Sequence, residues 1–101
     1  MEIIITQEEK GIVAKLNGRL DTVAAQQISD AVAPVLENAA GNIVLDCEDM
    51  PFISSSGLRI FLKIRKEVAA QGGTMKVKNV NPDVMQVFKM TKLDEIFDIV
   101  D

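Results

Sequence analysis

The sequence predicts an α/β protein, a mixed sheet of four to five strands with helices packed on one face. Short β-branched runs alternate with stretches of helical spacing in the order β-β-α-β-α-β-α, followed by a mixed ending. The 101 residues are 48% hydrophobic and 26% charged, which is ordinary for a globular protein. A chain of this length has room for one hydrophobic core, so we expect a single domain over residues 1–101.

Two strands joined by a polar turn are predicted first. The β-branched run within Glu2–Gln7 indicates one strand, and Gly11–Leu16 indicates the next. Two glutamates and a lysine at positions 8–10 separate them. A hairpin is therefore expected.

A first helix is predicted from apolar residues at helical spacing between Ala24 and Leu36. Asp21 or Thr22 is expected to cap its start, because both residue types accept a hydrogen bond from a free backbone N–H. Pro34 lies inside this pattern, removes a backbone donor and clashes with the preceding turn. We expect a kink there or a break at Ala33.

A buried central strand and a second helix follow. The strand is the short apolar run Ile43–Cys47, and the helix extends from Ser54 to the glycine pair that begins at Gly72. Arg65 projects into the apolar stripe of this helix, with its stem expected along the core edge and its guanidinium in solvent. The predicted stripe consists of Leu58, Phe61, Leu62, Ile64, Val68 and Ala69.

In the last third of the chain, apolar and charged residues alternate before a third predicted helix. Thr74–Val80 is predicted to be a strand, and Asn81 with the following proline opens a short helix. Met85 and Met90 of that helix are expected to pack in the core, with an adaptable contact surface as the alternative. Leu93–Val100 is predicted to be either a strand or a short helix.

Composition excludes several classes of function. The net charge is −4, with nine acids against three bases in residues 1–50 and six against eight in residues 51–101. An acidic chain without Trp or Tyr argues against nucleic acid as a partner. No apolar stretch is long enough to span a membrane and no signal segment is recognisable, so we expect a cytoplasmic protein with no direct membrane insertion.

The lack of histidine excludes the commonest metal ligand and the commonest general base. The single cysteine, Cys47, has no partner for an internal disulfide and is expected to be a small core residue. We therefore expect no metal site, no cofactor and no catalytic activity.

The densest polar feature is the run of three serines, Ser54–Ser56, where the buried strand leads into the second helix. One serine suffices to cap a helix, and capping alone remains an adequate explanation of the run. A helix N-terminus also favours anions through its free N–H groups, so a phosphate carried by a serine is tolerated there.

The segment Ser55–Leu58, with the pattern Ser-Ser-Gly-Leu, resembles the signature of the STAS domain family of bacterial anti-sigma factor antagonists. Gly18–Asp21 is similar to a Gly-x-Leu-Asp segment of that family, and the glycine pair at Gly72 matches the turn after its second helix. Asn79–Phe97 resembles its closing strand and short helix. The resemblance covers essentially the whole chain.

This resemblance implies an interaction protein that phosphorylation switches off. In the family, the unmodified domain binds an anti-sigma factor that is also an ATP-dependent serine kinase, and the sigma factor is released. Phosphorylation ends that complex and a PP2C-type phosphatase restores it. The motif maps the acceptor to Ser55. Many members carry an aspartate at the position of Ser54, so Ser54 and Ser56 are secondary candidates.

The predicted partner surface surrounds this acceptor. Arg59, Lys63 and Lys66 share a narrow arc of the second helix, although a solvated face is the simpler explanation. For Gly57 we expect that the missing side chain lets a partner or a neighbouring loop approach, so that Gly57→Ala keeps or raises stability. The surface comprises Asp21, Ser54, Ser56, Gly57, Arg59 and Lys63.

Two other functions remain open. A STAS subunit of an ATP-driven lipid transporter would bind the transporter ATPase and need no phosphorylation. A small serine-dependent hydrolase is the remote alternative, because neither Gly-x-Ser-x-Gly nor Ser-x-x-Lys surrounds the serines.

Overall fold

The computed structural model describes residues 1–100, which form a five-stranded sheet in the order β1-β2-β3-β4-β5. β1 and β2 form the predicted antiparallel hairpin, and the remaining neighbours are parallel. The predicted mixed α/β sheet is confirmed. The strands are β1 (Glu2–Glu8), β2 (Gly11–Asn17), β3 (Asn42–Asp46), β4 (Thr74–Lys78) and β5 (Asp98–Val100).

Sequential strand order determines where the helices lie. Each parallel connection moves one strand further in the same direction, and right-handed crossovers then put every connecting helix on the same face of the sheet. On that face alternate strand residues are buried, for example Ala14 of β2, Leu45 of β3 and Val77 of β4. The helices are α1 (Thr22–Ile28), α2 (Ala33–Glu37), α3 (Ser55–Gln71) and α4 (Pro82–Met90).

The predicted first helix is two helices. α1 ends at Ile28, and α2 begins at Ala33 with Pro34 in its first turn. A proline at the start of a helix loses no hydrogen bond, because the N–H it lacks has no partner there. Pro34 therefore opens a second helix instead of bending one long helix.

The buried arc of α3 is narrower than predicted. Leu58, Phe61 and Val68 are buried, whereas Leu62 and Ala69 lie at the margin of the arc and are exposed. Arg65 Nε donates a hydrogen bond to the Ile96 carbonyl at 3.1 Å. The guanidinium is thus bound to the segment just before β5 and does not simply extend into solvent.

The segment Leu93–Val100, predicted to be either a strand or a short helix, contains one of each. A 3₁₀ turn over Leu93–Glu95 precedes β5. Phe97, between the two, packs edge-on against Phe61 and Phe88, and the three rings join α3, α4 and this segment in one core. Met90 is 77% exposed, which contradicts the predicted core position.

Among residues 1–100, none of the helices is both long enough and apolar enough to cross a membrane.

Candidate functional site

The candidate site forms where the segments after β2 and β3 run side by side. Leu20 and Ile53 form a parallel bridge, in which the Leu20 N–H donates to the Phe52 carbonyl at 2.9 Å. The Ser54 N–H donates to the Leu20 carbonyl at 2.8 Å. This bridge brings Asp21, the next residue of the first segment, next to Ser54.

Both of these residues are helix caps. Asp21 Oδ1 accepts from the Ala24 N–H at 2.8 Å, and Ser54 Oγ accepts from the Gly57 N–H at 3.2 Å. The choice between Asp21 and Thr22 is therefore decided in favour of Asp21. The helices α1 and α3 therefore begin next to each other, beyond the carboxyl ends of the neighbouring strands β2 and β3.

The three serines have different environments. Ser54 is half-buried and its hydroxyl serves the cap, and Ser56 is half-buried in the first turn. Ser55 is the first residue of α3 and is exposed. Of the three, Ser55 presents its side chain most openly to a second molecule.

The loop before α3 is held in place by neighbouring segments. The Gly18 N–H donates to the Asp49 carbonyl at 2.9 Å, and Asn81 Nδ2 donates to the Met50 carbonyl at 3.0 Å. Asn81 Oδ1 also caps α4 by accepting from the Val84 N–H at 2.8 Å. The start of α3 is thus fixed relative to β2 and α4, as a recognition site requires.

Gly57 corrects the expectation made for it. It is buried, and a Cβ placed there would lie 2.6 Å from Leu20 Cγ and 2.9 Å from Ile53 Cγ1. A neighbouring loop does approach closely, as predicted, but it fills the space completely. Gly57 therefore lies beneath the predicted partner surface, and these contacts reverse the expectation that alanine keeps or raises stability.

Three exposed apolar side chains lie on the segments that meet at the serines, and the sequence did not identify them as a surface. Val23 in the first turn of α1 is 63% exposed, and Phe52 and Leu62 are 36% and 37% exposed. Leu62 follows Ser55 by seven residues, which puts it two turns along the same side of α3. We call Val23, Phe52 and Leu62 the apolar rim. The signal available was that Val23 and Phe52 fall outside the predicted core stripes.

Basic side chains accompany the rim. The Arg19 guanidinium lies 4.4 Å from the centre of the Phe52 ring, a cation–π contact. Arg59 and Lys63 are exposed on α3, about 6 Å and 12 Å along the helix axis from Ser55. The arc predicted from the sequence is therefore solvent-facing, as both of its interpretations require.

Asp46, the last residue of β3, holds the loops that follow β3 and β4 by hydrogen bonds. Asp46 is buried, and its Oδ1 accepts from Asn79 Nδ2 at 3.0 Å and from the Glu48 N–H at 3.1 Å. Burial alone would raise the pKa of Asp46, but these hydrogen bonds and the charges of Lys78 and Lys15 hold it below its usual value.

The adjacent Cys47 is fully buried, and burial raises the pKa of its thiol to about 12. A thiol with so high a pKa is not a nucleophile at neutral pH. The core role expected for Cys47 is confirmed.

Comparison with known proteins gives one consistent result. The family model of the STAS domain matches residues 3–101. The anti-sigma-B factor antagonist of Bacillus subtilis is 27% identical over 98% of this chain and 90% of its own length. The anti-sigma F factor antagonist of Paenibacillus polymyxa is 33% identical over 89% of this chain and 78% of its own.

A solved structure, the Bacillus cell fate determinant SpoIIAA in its phosphorylated form, superposes with a TM-score of 0.73 at 24% identity. It covers 99% of this chain and 92% of its own, so the two proteins share the same fold throughout.

Proposed function

This chain belongs to the STAS domain family, and we propose that it is an anti-sigma factor antagonist switched by phosphorylation of Ser55. The unmodified domain binds an anti-sigma factor that is also a serine kinase, which frees the sigma factor. A phosphate on Ser55 ends the complex, and a PP2C-type phosphatase removes it. The domain itself is a binding module without catalytic activity.

One observation carries the proposal. Ser55 is exposed, it is the first serine of the Ser-Ser-Gly-Leu segment that resembles the STAS signature, and it is the first residue of a 17-residue helix. The phosphate adds about −1.5 to −2 charges at pH 7, and the N–H groups and dipole of a helix start favour a negative group. Because Ser54 provides the cap, modification of Ser55 leaves the cap hydrogen bond in place. The fold should therefore tolerate the modified state.

The apolar rim explains why a phosphate would act on the partner. A protein that covers Val23, Phe52 and Leu62 removes water from the neighbourhood of Ser55, and a dianion is costly to bury without matched charges. A loss of about 1.4 kcal/mol in binding free energy already weakens a complex tenfold. Phosphorylation therefore switches binding without refolding the domain.

The relatives support the same function. The two curated relatives are named antagonists of anti-sigma factors, and SpoIIAA has been solved in unphosphorylated and phosphorylated forms. Binding of an anti-sigma factor is the shared element in those names. The kinase, the phosphatase and the acceptor residue are our proposal for this chain.

The test is a kinase reaction with an anti-sigma factor kinase from the same genome, followed by mass spectrometry and binding measurements. We expect one phosphate, on Ser55, and at least tenfold weaker binding of the modified domain. Ser55→Ala should bind without being modified. Ser56→Ala, the matched control for the acceptor position, should still take up one phosphate and lose binding on modification as the wild-type domain does. Ser55→Asp should weaken binding less than phosphate does, because it carries less charge.

Other results would contradict the proposal. Phosphate confined to Ser54 or Ser56 would reassign the acceptor. A domain that binds every candidate kinase equally before and after the reaction would not be a switch. If the domain bound a transporter ATPase and none of the candidate kinases, the transporter-subunit alternative would be favoured.

A further inference from the structure

The outer edge of β1 differs from the other edge of the sheet. β5 is an edge strand of three residues, whereas β1 is an edge strand of seven and is paired with β2 along its whole length. Short strands, bulges, prolines and lysines are the usual protection of a sheet edge. β1 has continuous register, no proline and no lysine, and its central residues Ile3–Ile5 are apolar.

The pairing with β2 determines which backbone groups of β1 point outward. A two-residue turn closes the hairpin at the pair Glu8 and Gly11, and hydrogen-bonded pairs then recur at every second residue. The N–H and C=O groups of Ile3, Ile5 and Gln7 therefore face away from β2. Within residues 1–100 no other strand pairs with this edge.

We propose that β1 pairs with β1 of a second copy of this chain, antiparallel about a two-fold axis that passes beside Ile4. In this register Ile3 lies opposite Ile5 of the other copy, and both present outward-facing backbone groups. Each Ile3–Ile5 pair then forms two hydrogen bonds. The two sheets join into one continuous sheet with an isologous interface.

Charge selects this register. Two-fold registers centred on Ile3, Ile5 or Thr6 also satisfy the backbone. Centring on Ile3 or Thr6 puts Ile4 opposite a glutamate, Glu2 or Glu8, and centring on Ile5 puts Glu2 opposite Glu8 twice. Like charges directly opposite each other destabilise a strand pair. Centring on Ile4 places Glu2 opposite Thr6 and removes that repulsion.

The side chains fit the same arrangement. Ile3 and Ile5 are half-buried on the helix-covered face, and Ile4 is 44% exposed on the open face. In the pair, Ile4 meets its own copy at a non-hydrogen-bonded position, where side chains approach most closely. Both faces of the strand would thus cover apolar surface that the monomer leaves to water.

This pairing does not involve Ser55. β1 is the edge strand beyond β2, whereas the serines lie at the start of α3. Failure of the dimer would leave the proposed switch untouched, and failure of the switch would leave the dimer untouched.

The first test is sedimentation equilibrium over a wide range of concentration. We expect the wild-type mass to rise toward twice the 11.0 kDa monomer. Ile4→Glu should remain monomeric to at least tenfold higher concentration, because the two glutamates meet at the axis. Within the monomer that glutamate faces Lys15, so the fold is not penalised. Met90→Glu, an exposed apolar position on α4, is the matched control and should associate like wild type.

The second test fixes the register. Under mild oxidation Ile4→Cys should form a disulfide-linked dimer, whereas Ile5→Cys should not, since only residue 4 lies opposite itself. Cys47 is buried and does not compete. A wild-type protein that stays monomeric throughout, or cross-linking through position 5 instead of position 4, would overturn the proposal.

Discussion

At Gly57 the first turn of α3 passes so close to Leu20 that a methyl group has no space. Leu20 is fully buried and Ile53 nearly so, so neither side chain has free space into which it can move. A Gly-Leu pair in a motif thus has a packing reason that is independent of any partner. From the sequence, the helical position suggested tolerance of alanine, because the contact comes from a residue 37 positions earlier.

We predict that Gly57→Ala destabilises the domain. Crowding in a packed core costs about 1–3 kcal/mol, which outweighs the gain of up to about 1 kcal/mol in helix propensity. Urea unfolding measures the difference. In a Leu20→Ala background, which removes the nearest contacting atom, the same substitution should cost less. An unchanged or raised unfolding midpoint for Gly57→Ala alone would contradict the clash.

At the level of elements, three parts of α3 have different roles. Its buried arc forms the core with the sheet, its start displays Ser55, and its outer side carries Leu62 and the basic residues. Helical periodicity predicted the element, and the serine run predicted a cap without choosing Ser54. Periodicity could not separate Leu62 and Met90 from the core, because it gives the direction of a side chain but not what the neighbouring elements cover.

The same limit explains the other differences. The hairpin, the helix start at Asn81 and the turn at Gly72 depend on local chemistry, and the sequence predicted them. It left the first cap open between Asp21 and Thr22, and it did not choose Ser54 from the serine run. The break between α1 and α2 was one of the two outcomes predicted from Pro34, but it lies earlier than predicted, between Ile28 and Ala33. The adjacency of Asp21 and Ser54 depends on a bridge between distant segments, which in the sequence was indicated only by family resemblance.

Leu62 and Met90 form a matched pair for testing the apolar rim. Both are apolar residues on helices. Alanine at Met90, which is 77% exposed, should change the free energy of unfolding by less than about 0.5 kcal/mol, and at Leu62, which is 37% exposed, alanine should cost about 1 kcal/mol. If the rim is the docking surface, Leu62→Ala should weaken binding of the anti-sigma factor about tenfold, and Met90→Ala should not. Calorimetric titration compares them. Equal affinities for the two variants would exclude Leu62 from the surface.

At the scale of the whole molecule, the helices cover one face of the sheet and leave the other to its own side chains. On that open face the register aligns Lys15, Asp46 and Lys78 on three adjacent strands. Lys15 Nζ also lies 3.2 Å from Asp49 Oδ2, and this partner raises the pKa of Lys15. Asp46 thus lies between two lysines in the register, and their positive charges favour its ionised form.

Asp46 makes this arrangement sensitive to acid. Its pKa is lower in the folded protein than in the unfolded chain, whose value is about 3.9. The unfolded chain therefore takes up its proton first as the pH falls. The stabilisation from Asp46 is present in full above the unfolded-state pKa and is lost as the pH falls through the folded-state pKa.

We predict that Asp46→Asn lowers the free energy of unfolding by about 1 kcal/mol at pH 7, because a charged acceptor of two hydrogen bonds between two lysine-bearing strands becomes neutral. Below the unfolded-state pKa the difference should shrink as the pH falls, because the unfolded wild-type chain takes up the proton first and the contribution of the charge is lost. Urea unfolding at pH 7 and at low pH measures it, with Asp98→Asn on the edge strand as an exposed control. A deficit that is the same at pH 7 and at low pH would show that Asp46 acts through shape and hydrogen bonding, and not through its charge.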